Sequence, residues 1–317
     1  MIKRLVPAFV LFLAVISEVS ISAQTPAERN NQKVRTVIIP ISIYTKQEMR
    51  QGQAEEYVQA DQLTVKEDSE DQTILSIRTV TSSPLSLAIL IQDDLTSDFN
   101  LQLKDLQKFI RSLPRGTRVM VAYIRGGTLQ IRQRFTDDLE RAATSLRILA
   151  GTGAASSNGP YGGVREALKY FDALPAGRRA ILLVSDGLDA SQGVSVLSGM
   201  PSIELDRAIL QAQRKSVAVY SIFSNGVLTA RSGDPIVTFG QGGLERLSDE
   251  TGGRAFMQGT LPPVSILPFI KDLNLLLSRQ FALTYLSTHM KKGYHKVQVL
   301  STNPQVKIEH PKGYFYR

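Results

Sequence analysis

Two short apolar runs of this chain each end in acid. Leu87-Ala-Ile-Leu-Ile91 meets Gln92-Asp93-Asp94, and Ala180-Ile-Leu-Leu-Val184 meets Ser185-Asp186-Gly187. Uninterrupted Val/Ile/Leu runs of this length read as strands buried on both faces, as parallel strands of an α/β sheet are. In such sheets the ligand crevice lies beyond the carboxyl ends of the strands. Carboxylates distant in sequence can therefore meet there, and the chemistry they offer is binding of a metal ion. Asp186-Gly187 also reads as an ordinary turn after a strand.

Other chemistry is thin. The three histidines, His289, His295 and His310, all fall near the C-terminus, away from that crevice. This argues against a Ser-His-Asp arrangement or a histidine-based zinc site at the strand ends. His295 and His310 could neighbour one another across strands and read as structural. Gly151-Thr-Gly-Ala-Ala-Ser156 imitates half of a dinucleotide fingerprint, but it follows a helical pattern rather than a strand and reads as a loop. Arg178-Arg179 reads as a cap on the end of the preceding helix.

The elements that must position the acids follow from periodicity. Val37, Ile39, Ile41 and Ile43 alternate, as do Leu63 and Val65, and then Ile74 and Ile77 beyond a polar turn over 67–71. From Pro84 strands and helices alternate. Phe99, Leu103, Leu106, Ile110 and Leu113 recur at helical spacing, with Thr96, Ser97 and Asp98 as candidate N-caps. Val119–Ile124 and Leu129–Phe135 flank Gly126-Gly127 as a hairpin, and Thr136 is expected to cap a helix running through Leu149. Later helices are expected over 205–213, 244–251 and 266–277, and strands over 217–223 and 255–257. After Ser278 three antiparallel strands are expected, over 280–286, 295–300 and 306–310. The expected fold is α/β: a doubly wound, mostly parallel sheet flanked by N- and C-terminal β segments that pair into one β-sandwich.

The chain has 317 residues, no cysteine and a formal charge of +8. Disulfides and thiolate metal sites are excluded. The basic excess is spread out, densest at Lys291, Lys292, Lys296, Lys307, Lys312 and Arg317, without a nucleic-acid motif. Lys3-Arg4, the apolar stretch 5–16 and Ile21-Ser22-Ala23 read as a cleaved secretory signal too short to span a membrane. The expected organisation is a signal over 1–23, a lead-in over 24–34, a β region over 35–82, the α/β domain over 83–278 and a β region over 279–317. No transmembrane anchor is expected after cleavage, and a periplasmic or secreted bacterial protein is.

In order and spacing, several segments resemble a von Willebrand factor type A domain, and specifically the bacterial, acidobacterial-type VWFA-related exported proteins. They are Pro84-Leu-Ser-Leu-Ala-Ile-Leu-Ile91, Arg178-Arg-Ala-Ile-Leu-Leu-Val-Ser-Asp-Gly187, Gly243-Leu-Glu-Arg-Leu through Thr251-Gly-Gly-Arg-Ala-Phe256, and, beyond the domain, Phe281-Ala-Leu-Thr-Tyr285 with Gly313-Tyr314. The resemblance implies a Mg2+ or Mn2+ centre built from Asp-x-Ser-x-Ser after the first strand, a threonine from a later loop and the aspartate of Asp-Gly. Candidate ligands on that basis are Asp93, Asp94, Thr96, Ser97 and Asp186. The run is scrambled in every register: ungapped, its leading aspartate falls on Gln92 and its serines on Asp94 and Thr96, while the threonine falls on Gly162. The resemblance thus implies a degenerate metal-dependent adhesion site. The expected function is non-enzymatic binding of a protein partner through the crevice, by way of an acidic partner side chain where metal is held. The alternatives are a metal-assisted hydrolase using Asp93, Asp94 and Asp186, and a basic binder of anionic envelope polymers.

Overall fold

A computed structural model describes residues 33–51, 62–78, 84–150, 158–175, 177–189, 202–227, 229–232 and 234–316. The expected signal over 1–23, nearly all of the lead-in, and the loop residues 151–157 and 190–201 lie outside the described residues. The N-terminal flank supplies strand β1 (Arg35–Thr45), helix α1 (Lys46–Gln51) and the hairpin strands β2 (Leu63–Glu67) and β3 (Glu70–Arg78). The central segment runs β4 (Ser86–Gln92), α2 (Leu103–Ser112), β5 (Arg118–Arg125), β6 (Thr128–Thr136), α3 (Leu139–Thr144), α4 (Tyr161–Lys169) and β7 (Arg179–Ser185). It continues with α5 (Ile203–Arg214), β8 (Ala218–Phe223), α6 (Thr229–Ser232), α7 (Asp234–Thr251), β9 (Ala255–Phe256) and α8 (Leu267–Ser278). Four strands close the chain: β10 (Gln280–Ser287), β11 (Gly293–Ser301), β12 (Val306–Glu309) and β13 (Gly313–Tyr316).

The central segment forms a six-stranded sheet in the order β6-β5-β4-β7-β8-β9, parallel except for the edge strand β6. The chain winds outward from β4 through β5 and β6, then returns to the other side of β4 and winds outward through β7 and β8. The switch point lies between β4 and β7, the two strands that end in acid. Every residue of β4 is buried. Leu87, Ile89 and Ile91 pack with Leu106 and Ile110 of α2, Ala142 of α3 and Leu273 of α8. Ala88 and Leu90 pack on the opposite face with Val164 of α4, Ile209 of α5 and Leu247 of α7. A fully buried side chain of this kind contributes about 1.5–3 kcal/mol, so the strand is anchored from both sides.

The flanks meet in one antiparallel, seven-stranded sheet, in the order β12-β1-β10-β3-β2-β11-β13. The two β regions pair as expected, but as one interleaved sheet rather than the two facing layers of a sandwich. β1 lies between β10 and β12, and the β2–β3 hairpin is inserted between β10 and β11. β13 was not foreseen in the sequence. Arg178, buried just before β7, joins this sheet to the central one: its Nε donates to Gln280 O at 2.7 Å, and Nη2 donates to Leu277 O. Arg179 does cap the preceding helical turn, donating to Leu174 O at 2.6 Å. Ser42 Oγ and Tyr220 Oη add a buried bond of 3.0 Å. The antiparallel sheet thus joins the amino edge of the central sheet, opposite the crevice.

Two helices differ from expectation. α3 ends at Thr144, and its N-cap is Asp138, whose carboxylate accepts from Arg141 N at 2.9 Å. Thr136 instead accepts from Asp138 N. α7 begins at Asp234, ten residues before the expected start at 244, because a run containing Gly240, Gly242 and Gly243 carries little helical signal.

Candidate functional site: the crevice between β4 and β7

The parallel register sets Ile91 beside Val184, so Gln92 and Ser185 end their strands side by side. Gln92 occupies the place where the resemblance puts the leading aspartate. Its Oε1 accepts from Ser185 Oγ and, at 3.2 Å, from Asp186 N. The amide oxygen thus ties the two strand ends together.

Asp186 is 2% exposed. Its Oδ1 accepts from Leu188 N at 3.1 Å, and Oδ2 lies 3.4 Å from Thr229 Oγ1. Thr229, at the start of α6, also accepts from Gly226 N at 2.7 Å. Gly226 covers the same carboxylate oxygen: a Cβ there would lie 2.1 Å from Oδ2. Burial pushes the Asp186 carboxyl up to about 7, and the charge of Asp94 adds to the rise, against the hydrogen bonds from Leu188, Gln92 and Thr229.

The other candidates separate. Asp93 turns away: its Oδ1 is 2.6 Å from Arg147 Nη2, and Arg147 lies over the Tyr123 ring at 4.2 Å. Asp94 stays close enough to Asp186 for its charge to be felt. Backbone pairing holds this loop to the one after β8, through Thr96 N to Asn225 O and Val227 N to Asp94 O, both at 2.9 Å. Thr96 stands at the N-cap position of a 3-10 turn, Ser97–Gln102, without a side-chain cap bond, and Ser97 is exposed. Gly162 packs on the β5–β6 turn, where a Cβ would meet Gly127 O at 2.9 Å, so a threonine is crowded out.

Of the five sequence candidates, Asp94 and Asp186 are the two that act on one another, through the like charge that raises the Asp186 carboxyl. Sequence reasoning missed Thr229 and Gly226, which lie in a loop with no motif around it. Gln92 was visible, but only as a misfit. The donor set does not fit an octahedral Mg2+ or Mn2+ centre. The lead position is a neutral amide already used, Asp93 is neutralised by Arg147, and both Asp186 oxygens face internal groups.

Beside the crevice a cleft of about 370 Å3 is lined by Tyr161, Gly187, Asp189, Phe239, Gly243 and Arg246. On the other side of β4, Leu101, Ile148 and Val264 are 78%, 74% and 95% exposed. The side chains flanking Leu101 draw the three segments together: Asn100 Nδ2 donates to Leu149 O and Gln102 Nε2 to Val264 O, at 2.9 and 3.0 Å.

Among solved structures the chain is similar to the conserved hypothetical protein BatB from Bacteroides thetaiotaomicron, at 13% identity over 61% of this chain and 97% of that one, with a TM-score of 0.44. It is also similar to a von Willebrand factor type A protein from Catenulispora acidiphila, at 9% identity over 89% of this chain and 73% of that one, TM-score 0.43. The SpRpn10 VWA domain is similar at 13% identity over 62% of this chain and 92% of that one, TM-score 0.38. No protein-family model and no curated protein matches the chain.

Proposed function

We propose that the chain is an exported, von Willebrand A-like binding module that engages a protein partner at the carboxyl edge of its parallel sheet, without a metal bridge. The observation that carries this reading is the internal closure of Asp186 at the switch point, beside an exposed apolar rim. A carboxylate whose oxygens face Leu188 N–H and the Thr229 hydroxyl is committed to holding the loops. Recognition then falls to what the loops present: Leu101, Ile148, Val264 and the cleft by Phe239. Exposed apolar groups gathered at one place mark interaction surfaces more often than solitary ones do. A hydrolase at this edge would need an ion and a free general base, and Asp93, Asp94 and Asp186 offer a paired, a like-charged and a buried carboxylate.

The reading is tested with a photo-crosslinking side chain placed at Leu101 and, as a control, at Leu300 of β11, which is 48% exposed. Expected is a discrete protein adduct from position 101 in envelope extract, absent from position 300 and unchanged by EDTA. Loss of the adduct in EDTA would restore the metal-bridged alternative. Adducts that vanish steeply with salt would favour the polyanion binder. Equal labelling from both positions would remove the crevice from the account.

A further inference from the structure

Away from the crevice, the antiparallel sheet buries a polar cluster that its own hydrogen bonds do not satisfy. Glu67, the last residue of β2, is fully buried. Its Oε1 accepts from Tyr314 Oη at 2.7 Å and Ser287 Oγ at 2.9 Å. Its Oε2 has no hydrogen-bond partner. Nor has His289 Nδ1, which lies 3.6 Å from Oε1 of the same carboxylate. Arg35 Nη2, which pairs with Glu67 Oε1 at 3.6 Å, and Tyr285 Oη likewise lack a hydrogen-bond partner. Four of the eight such buried atoms among the described residues therefore gather at one carboxylate, three around it and the fourth its own Oε2. An unmet buried polar group costs about 1–3 kcal/mol, so four in one place point to something that belongs there.

Ligand geometry is present. Glu67, Asp68 and His289 each offer one donor atom, and the three atoms lie within 4.8 Å of one another. Each donor is held. Asp68 sits in the β2–β3 turn, with Oδ1 accepting from Lys296 N at 2.8 Å and Oδ2 at 2.7 Å from His295 Nδ1. His289 is fixed by Arg35 Nε, which donates to its carbonyl at 3.0 Å, and by its own N–H on Ser287 Oγ at 3.2 Å. Its Nε2 faces the Glu70 carboxylate at 3.5 Å, leaving Nδ1 directed at the cluster. A carboxylate behind a histidine is the usual support of a metal-bound imidazole.

We propose that Glu67, Asp68 and His289 form a divalent transition-metal site of the zinc class, separate from the crevice. One imidazole with two carboxylates is a borderline donor set, which suits Zn2+ rather than Ca2+ or Mg2+. Arg35 and the Tyr285 hydroxyl face the same space and can donate to a water or anion on the ion. The site ties the β2–β3 turn to the segment between β10 and β11, so its role is to lock the interleaved flanks together.

The test is calorimetric titration of the untagged, metal-stripped chain with Zn2+, with Ca2+ as the comparison ion, alongside melting curves. Expected is one equivalent of Zn2+, weak or no Ca2+ binding, and a Tm that rises with Zn2+. His289→Ala, at a partly exposed position, keeps its metal-free Tm and loses at least tenfold in Zn2+ affinity. Glu67→Gln loses binding too, Glu70→Gln weakens it about 10- to 100-fold, and Asp186→Asn leaves it unchanged. The proposal is overturned if the chain takes up no Zn2+, or if His289→Ala binds it as the parent does. The unmet atoms then belong to buried water. Because Asp186→Asn is the crevice control, either outcome leaves the binding-module reading to its own experiment.

Discussion

Asp186 and Asp68 each follow directly on a strand, and the two sheets treat them in opposite ways. Asp186 is enclosed by the switch-point loops, and burial with a like charge beside it raises its carboxyl to about 7. Asp68 stands at an exposed turn. Burial is the largest single influence and pushes its carboxyl up, but the hydrogen bonds from His295 and Lys296 N–H, with the charge of both histidines, together outweigh it and hold the carboxyl below the ordinary range. The resemblance directs attention to the first carboxylate; both carboxylates are hydrogen-bonded within the chain, but the second adjoins the unmet atoms around Glu67. Position at a family's site and readiness to bind are separate properties, and the unmet atoms around Glu67 tell them apart.

The comparison breaks first at Gly187. Its φ of +69° is left-handed, and an added Cβ would meet Gly240 O at 2.2 Å and Leu244 Cγ at 2.6 Å. Gly187→Ala is expected to cost more than about 4 kcal/mol, seen as a collapse in Tm or loss of soluble protein. A benign substitution would mean that the crevice is open after all. Next is Asp186→Asn, which keeps the shape and removes the charge. Because the folded carboxyl is raised from 3.8 to about 7, the folded state binds the extra proton. That contribution is full below about pH 4 and is lost as pH rises through 7. The variant should gain stability over the parent from pH 4 to pH 8, by up to about 4 kcal/mol at roughly 1.4 kcal/mol per pH unit, measured by denaturant melts at both ends. A variant less stable than its parent at pH 8 only when Mg2+ is present would return a metal to the crevice. The smallest effect is expected from Asp68→Asn, with the opposite sign. A depressed carboxyl contributes stability above its unfolded value near 4 that disappears as pH falls further. The parent's advantage over this variant should be present at pH 6 and fade toward pH 3, by melts at the same salt.

Much of the central fold was legible. The runs at 87–91 and 180–184 are buried on both faces, so their apolar content announces them, and the hairpin at Gly126-Gly127 is set by local turn chemistry. What was not legible depends on partners far away in the chain. The interleaving of β1 with β10 and β12 leaves no local mark, because alternation shows that one face is buried and not which strand lies alongside. At the site, Asp186 was placed correctly at the strand end, but the groups that close it, Thr229 and Gly226, come from a loop whose sequence fits any loop. Asp93 read as a ligand because a second run of acid suggests one, whereas Arg147, its actual partner, lies after a helix that ends five residues earlier than its pattern suggests. The Glu67 cluster was hidden for the same reason: its histidine and its carboxylates come from opposite ends of the chain.

That separation has a kinetic consequence. β1 pairs on both sides with strands from the last part of the chain, so no fragment ending before Gln280 can form the ladder along either of its edges. The central sheet draws on contacts within one continuous stretch and can close earlier, while the flanking sheet must wait for the final residues and pays a long loop closure to form. In a refolding experiment the two sheets should therefore be acquired in sequence, with protection of Ile39 and Ile41 amides among the last events.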